Sequence, residues 1–156
     1  MPGKKPKYPP METLQRMKLW CDRQERCQVE AKQKLATWGY YGHGADEIIV
    51  DLITAGYLNE SRFAKAFVSG KFRIKGWGRN KIVRELKARK ISAPCINDGL
   101  EEIEETEYIE RTQYWIDRKS HQWRDLKPFE RNGKVAAFVI GKGFESDLVW
   151  SLLKDD

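Results

Sequence analysis

Residues 52–91 read LITAGYLNESRFAKAFVSGKFRIKGWGRNKIVRELKARKI, and the stretch holds two helical patterns on either side of a glycine turn. In the first pattern, over residues 60–73, apolar residues recur three and four positions apart and so share one helix face. Asn59 is a suitable N-cap, because its side chain can accept a hydrogen bond from a free backbone N–H. The second pattern covers residues 79–90. The stretch therefore predicts two helices joined by a turn at residues 75–78.

The rest of the chain shows the same helical spacing. Apolar residues recur at three- and four-residue intervals, and the two-residue alternation typical of strands is nearly absent. We therefore predict an all-α protein. Gly42 and Gly44, on either side of His43, are interpreted as lengthening a loop. The predicted helices cover about residues 13–22, 26–37, 46–55, 60–73, 79–90, 93–103, 107–119, 128–141 and 146–154.

The sequence also repeats with a period near fifty residues. Three apolar positions at the end of the second predicted helix recur without gaps at the ends of the fifth and eighth helices. They are Ala31, Leu35 and Tyr40, then Ile82, Leu86 and Ile91, then Val135, Val139 and Phe144. We predict three tandem three-helix repeats forming an elongated, gently curved array. The predicted divisions are a mobile, proline-rich basic tail at residues 1–10 and helical repeats at residues 11–58, 59–105 and 106–156.

The composition is that of a globular protein. The chain has 156 residues, 33% of them charged, with a formal net charge of +6. Its longest apolar run, residues 135–140, is far shorter than the roughly 20 residues of a membrane span. The first ten residues have no apolar centre and no small-residue cleavage site of a secretory signal. We expect a cytoplasmic protein that makes no membrane contact.

The charges are strongly segregated along the chain. Residues 62–91, here called the basic block, contain eleven Lys and Arg residues and one acidic residue, Glu85. Residues 92–110 contain seven acidic residues and no basic one. Such a block attracts a polyanion or an acidic protein surface within about 8 Å at physiological salt. The alternative is a solvated helix face that serves solubility.

The sequence gives no support to a catalytic or metal site. Cys21, Cys27 and Cys95 form no CxxC pair and are interpreted as buried thiols. His43 and His121 have no matching nucleophile or carboxylate motif. The acidic run lacks an EF-hand pattern, and the Gly-Trp-Gly turn lacks the further glycines of a phosphate loop. We therefore expect a protein that is not an enzyme and that uses no metal or other cofactor.

Residues 52–91 resemble the RecX family of bacterial regulators of the RecA recombinase. The resemblance extends over about residues 15–105, and the last repeat matches more by pattern than by motif. Departures from the family pattern occur at Asn59-Glu60, Arg79 and Arg89-Lys90. The features that carry the resemblance are Tyr57-Leu58 after a glycine, Arg62-Phe63-Ala64, Gly76-Trp77-Gly78, Ile82, Glu85-Leu86 and Ile91.

The resemblance implies a non-enzymatic helical protein that lies in the groove of the RecA filament on single-stranded DNA. It implies inhibition of filament growth, ATP hydrolysis and strand exchange, with effects on recombination, DNA repair and the SOS response. The alternative is a general single-stranded nucleic-acid-binding helical module. In either case we expect a monomer. The candidate contacts to RecA or to single-stranded DNA are Arg62, Lys65, Lys71, Arg73, Lys75, Trp77, Arg79, Lys81, Arg84, Lys87, Arg89 and Lys90, of which Lys75, Arg79, Arg84 and Lys87 are preferred.

Overall fold

The structure is a computed structural model that describes residues 5–154. Over that range it contains nine α-helices and no β-strand, which confirms the all-α prediction. Helices α4, α8 and α9 have the bounds expected from the sequence. The helices are α1 Pro10–Arg23, α2 Gln28–Thr37, α3 Gly42–Thr54, α4 Glu60–Arg73, α5 Arg79–Ala88, α6 Ala93–Leu100, α7 Glu105–Gln122, α8 Pro128–Gly141 and α9 Ser146–Lys154.

The start of α3 differs from the sequence prediction. Gly42 and Gly44 lie in the first turn of the helix and not in a loop. Tyr41 is extended, and Gly42 enters the helix with a φ of 53°, a left-handed value that glycine adopts without a Cβ clash. The N–H of Ala45 then donates to the Tyr41 carbonyl. The spacing of apolar residues could not show this turn, because its outer positions are polar or glycine.

The nine repeat positions predicted from the sequence are all buried, with at most 7% of any of these residues exposed. The last position of each set also forms the same backbone hydrogen bond. The N–H groups of Tyr40, Ile91 and Phe144 donate to the carbonyls five residues earlier, over 3.0, 3.1 and 3.4 Å. The residue before each has a left-handed φ, as in the glycine-terminated ends of many helices. These residues are Gly39 at 87°, Lys90 at 59° and Gly143 at 106°.

Lys90 is the one non-glycine residue with positive φ among residues 5–154, so its replacement by glycine is expected to stabilise the protein. The left-handed backbone conformation costs an L-residue roughly 1–2 kcal/mol, and glycine avoids this cost. Glycine also makes the unfolded chain more flexible, however, and this entropy offsets part of the stabilisation. Lys90→Gly should therefore raise the free energy of unfolding by about 0.5–1 kcal/mol in urea titrations. Lys87→Gly, inside α5, is the control and should lower it by about 1 kcal/mol. Destabilisation by both variants would contradict the assignment.

The helices pack as three units, α1–α3, α4–α6 and α7–α9. The first unit has its own apolar core around Leu35 and Leu52. The second and third units share one continuous core, in which Phe72, Tyr108 and Phe144 pack ring against ring. The chain exposes 9726 Å², whereas a compact monomer of its mass exposes about 8,100 Å². The excess agrees with an elongated array.

Residues 5–9, which lie in the predicted mobile tail, pack against the first unit. The ring of Tyr8 meets Trp38 edge to face at 5.5 Å, and the Tyr8 carbonyl accepts a hydrogen bond of 2.7 Å from the Tyr40 hydroxyl. The N–H of Lys7 donates to the Trp38 carbonyl over 2.9 Å. Helix α1 begins at Pro10. The prolines suppress regular structure here, but the aromatic ring and backbone hydrogen bonds still hold the segment; residues 1–4 of the predicted tail lie outside the described part.

Backbone hydrogen bonds join the second and third units. The N–H of Gly78 donates to the Lys142 carbonyl and that of Asn80 to the Gly143 carbonyl, each over 2.9 Å. A Cβ on Gly78 would overlap the backbone of Gly143. The indole Nε1 of Trp115 also donates to the Gly76 carbonyl over 3.0 Å. This close approach holds the Gly-Trp-Gly turn against the third unit.

Candidate interaction surface

Four arginines of the basic block are paired with carboxylates. Arg62 contacts Glu25 of the first unit at 2.6 Å. Arg73 holds both carboxylate oxygens of Glu107, at 3.4 and 3.1 Å. Arg89, the residue that follows α5, lies 3.5 Å from Glu85 in that helix. The fourth is Arg79, at the junction of the second and third units.

Arg79 lies between two carboxylates of the third unit. It contacts Glu105 at 2.6 Å and Glu145 at 3.1 Å, and its guanidinium carbon lies 3.8 Å from the centre of the Tyr108 ring. The Tyr108 hydroxyl donates to Glu145 and accepts from the Arg79 N–H. Burial alone lowers the pKa of Arg79, but the hydrogen bonds to the two carboxylates outweigh it and raise the pKa. Burial, followed by the hydrogen bond to Glu145, raises the pKa of Tyr108.

These pairs change the expected roles of the basic and acidic segments. Arg79, a preferred contact in the sequence analysis, joins two units and is only 25% exposed. Arg62 and Arg73 also form ion pairs that link one unit to another. The acidic segment, residues 92–110, supplies Glu105 and Glu107 to these links. Local composition could not reveal this, because the partners lie up to 66 residues apart.

Arg79→Ala is therefore expected to weaken the fold. It removes two ion pairs and leaves Glu105 and Glu145 without their cation. The free energy of unfolding should fall by about 2 kcal/mol. This is less than for a fully buried pair, because the site is partly exposed to solvent. Thermal and urea unfolding measure this loss. The control is Arg84→Ala, whose exposed side chain has no carboxylate within 4 Å among residues 5–154. Equal stability of the two variants would contradict a junction role for Arg79.

The other seven cations of the basic block have no carboxylate within ion-pair distance in the described part of the chain. Lys71 and Lys81 are half-buried, and the remaining five are exposed. Their positive charge is therefore available to a partner. The seven are Lys65, Lys71, Lys75, Lys81, Arg84, Lys87 and Lys90.

Trp77 is half-buried and packs edge to face on Phe67, with 6.3 Å between ring centres. The ammonium groups of Lys71 and Lys81 lie 4.9 and 4.4 Å from the centre of the Trp77 ring. Cations at this distance are attracted to the face of an indole. Trp77 thus packs against the core and holds two lysines over its ring, and contact between the ring and a partner stays a prediction.

The third unit supplies three cations that are not among the contacts predicted from the sequence, namely Arg111, Lys119 and Lys142. Lys142 Nζ lies 4.7 Å from the Trp115 ring centre and 3.4 Å from the Lys75 carbonyl that accepts its hydrogen bond. Burial, then the charges of Lys81, Lys119, Arg111 and Lys75, lowers the pKa of Lys142. We define the cationic surface as Lys71, Lys75, Lys81, Arg111, Lys119 and Lys142.

A sequence signal for these residues does exist. Arg111, Trp115 and Lys119 follow one another at intervals of four, which places them on one face of α7. The third unit has a small net charge, however, and this hides the local cluster. Only the fold brings that face of α7 beside Lys81 and Lys142.

The cysteines and the possible metal ligands add no further candidate site within residues 5–154. Cys21 and Cys27 are buried as predicted, but Cys95 is half-buried. Burial raises the pKa of the Cys21 thiol to about 11, so the thiol is protonated at neutral pH. No group of three His, Cys, Asp or Glu residues that could hold a metal ion occurs between residues 5 and 154. Within the same range, no helix has the length and apolar character to span a membrane.

Comparisons with known proteins agree with the helical pattern. A family model described as RecX, second three-helix domain, matches residues 59–100. The chain is 28% identical over 125 residues to Regulatory protein RecX of Pelodictyon phaeoclathratiforme, covering 80% of this chain and 76% of the relative. It is also 28% identical over 100 residues to Regulatory protein RecX of Lactobacillus gasseri. That match covers 64% of this chain and only 37% of the longer relative.

Two solved structures have the same fold. A crystal structure of regulatory protein RecX superposes with a TM-score of 0.85 at 20% identity, covering 94% of this chain and 73% of the other. The crystal structure of RecX from Lactobacillus salivarius has a TM-score of 0.81 at 17% identity, covering 94% and 95% of the two chains. The second unit, with its turn and helices, thus matches the second three-helix domain of RecX, and the chain as a whole is similar in sequence to regulatory RecX proteins and shares the fold of two RecX structures.

Proposed function

We propose that the chain is a non-enzymatic regulator that binds the RecA nucleoprotein filament and inhibits its recombinase activity. In this role it restrains recombination, DNA repair and the SOS response, and it acts in the cytoplasm as a monomer. The similarity to regulatory RecX proteins supports a regulatory role. The observation that carries the proposal is the cationic surface, because six basic residues from two units converge there without an ion-paired carboxylate within the described range.

The physical basis of the proposed binding is the attraction between this surface and a polyanionic assembly. A filament on single-stranded DNA presents closely spaced phosphates and acidic protein groups. Each lysine that neutralises a phosphate releases a condensed counterion. If four or five do so, the slope of log affinity against log salt is roughly −3 to −3.5. A slope near zero would indicate contacts between proteins alone.

The second candidate function is general binding of single-stranded nucleic acid. Trp77 and Trp115 lie beside lysines, and aromatic rings next to cations are typical of surfaces on which bases stack. Both indoles are half-buried, however, and each already has a lysine over its ring. This packing favours phosphate contacts over base stacking.

Titration of the DNA-dependent ATPase of RecA with this protein separates the two candidates. A regulator of the filament should inhibit at ratios well below one per RecA protomer, since one molecule bridges or blocks several protomers. A competitor for DNA must saturate the strand before it inhibits. Inhibition that follows only the amount of free DNA, with equal affinity for naked oligonucleotide, would overturn the filament proposal in favour of the second candidate.

A further inference from the structure

A cleft lies between the first and second units, and none of its lining residues belongs to the cationic surface. It has a volume of about 240 Å³. Its apolar lining comes from the start of α2 and from the ends of the α3–α4 and α5–α6 connections. The apolar residues are Cys27, Val29, Leu58 and Ile91. A space of this size and lining accommodates one large apolar side chain, as anchor residues do at protein interfaces.

The rim of the cleft is strongly basic. Arg26, Lys32, Arg89 and Lys90 line it, and Glu60 is the one carboxylate among the lining residues. The Glu60 carboxylate is already engaged, since it accepts a hydrogen bond from the N–H of Ser92. The rim therefore carries an excess of positive charge around an apolar floor. A ligand that complements both features has negative charges flanking one apolar group.

Two of the four rim cations have a carboxylate partner, Glu85 for Arg89 and Asp46 for Lys32, and the other two have none within residues 5–154. Arg26 rests on the Trp20 ring at 4.1 Å, and its Nε donates to a carbonyl and not to a carboxylate. Lys32 lies 3.8 Å from Asp46, and both side chains are more than half exposed. Exposed pairs of this kind contribute at most about 1 kcal/mol, so a ligand carboxylate can replace Asp46. Lys90 has no ion-paired carboxylate within the range 5–154.

We infer that this cleft docks an acidic peptide segment of a partner protein, with one large apolar side chain seated between the first and second units. A peptide fits better than a nucleic acid, because the lining contains no aromatic ring on which a base could stack.

The test uses a fluorescein-labelled heptapeptide with a central phenylalanine between two runs of three glutamates, and measures anisotropy without RecA or DNA. We expect saturable one-to-one binding. Lys32→Glu combined with Lys90→Glu should weaken it by about tenfold or more, since two rim charges are reversed. The matched control, Lys65→Glu with Lys87→Glu, changes net charge equally on exposed residues outside the cleft and should alter affinity less than about twofold. Equal loss in both variants would overturn the inference.

Two further arms test the apolar floor and the class of ligand. A heptapeptide with glycine in place of phenylalanine should bind about tenfold more weakly, because the anchor is absent. Equal affinity for both peptides would mean that charge attraction alone causes the binding, and would overturn the inference. Displacement of the peptide by an oligothymidylate would also overturn it. Val29→Trp, which fills the cleft without changing charge, should abolish binding while circular dichroism shows an intact helical fold. Variants of the cationic surface should keep peptide affinity, so this inference and the proposed function can fail separately.

Discussion

Replacing Lys81, Lys119 and Lys142 together with glutamine is expected to weaken binding to the RecA filament by roughly 30- to 150-fold, if each charge contributes about 0.7–1 kcal/mol. Lys81 is in α5, Lys119 is in α7 and Lys142 directly follows α8, and the charges of the first two act on Lys142. Glutamine keeps much of the aliphatic stem, which matters because Lys119 Nζ lies 4.0 Å from the Phe138 ring centre. The dissociation constant is measured on RecA assembled on an oligothymidylate at constant salt.

The control for this triple variant is the set Lys65→Gln, Arg84→Gln and Lys87→Gln. It removes the same number of charges from exposed positions of the second unit. We expect a smaller loss, of about threefold to tenfold, which reflects long-range attraction alone. Thermal unfolding should hardly change for either set. A greater loss from the control set would favour the contacts preferred from the sequence over the cationic surface.

Gly78→Ala is expected to have the largest effect on stability, with a loss of about 3 kcal/mol or more. Gly78 has an ordinary φ of −83°, so alanine is not disfavoured by backbone conformation. The loss arises because the new Cβ would overlap backbone atoms of Gly143 and Phe144, which cannot rotate away as a side chain could. The second and third units would have to separate, and Lys81 would move away from Lys142.

Gly133→Ala provides the opposite control. Gly133 lies inside α8, and a Cβ there would meet no atom within 4 Å. Alanine should therefore stabilise the helix by up to about 1 kcal/mol. Urea unfolding of the two variants compares a glycine required for packing with one that is not. If Gly78→Ala unfolded at the same urea concentration as the unsubstituted chain, the close contact between the two units would be refuted.

The sequence predicts the repeat well because the repeat is a local property. Ala31, Leu35 and Tyr40 recur at fixed offsets, and the same positions are buried in each unit. Helices α4 and α8 begin and end as predicted, since an Asn cap and an N-terminal proline mark their starts. Where the marker is absent, as at the start of α3, the helix boundary is misplaced.

The candidate site is harder to predict because it depends on contacts between units. Charge density alone ranks Arg79 with Lys75, yet the fold pairs Arg79 with two carboxylates and leaves Lys75 exposed. Lys142 belongs to a segment of low net charge and enters the cationic surface only because Gly78 and Gly143 bring two units together. The sequence thus identifies the basic middle of the chain, and the tertiary structure determines which of its cations have no carboxylate partner within residues 5–154.

Site-specific photo-crosslinking tests the central claim most directly. A benzophenone amino acid replaces Lys81, on the cationic surface, or Gln33, on the exposed side of the first unit. Each protein is irradiated with RecA assembled on single-stranded DNA. The account predicts abundant crosslinks to the filament from position 81 and few from position 33. Efficient crosslinking from position 33 with none from position 81 would contradict it.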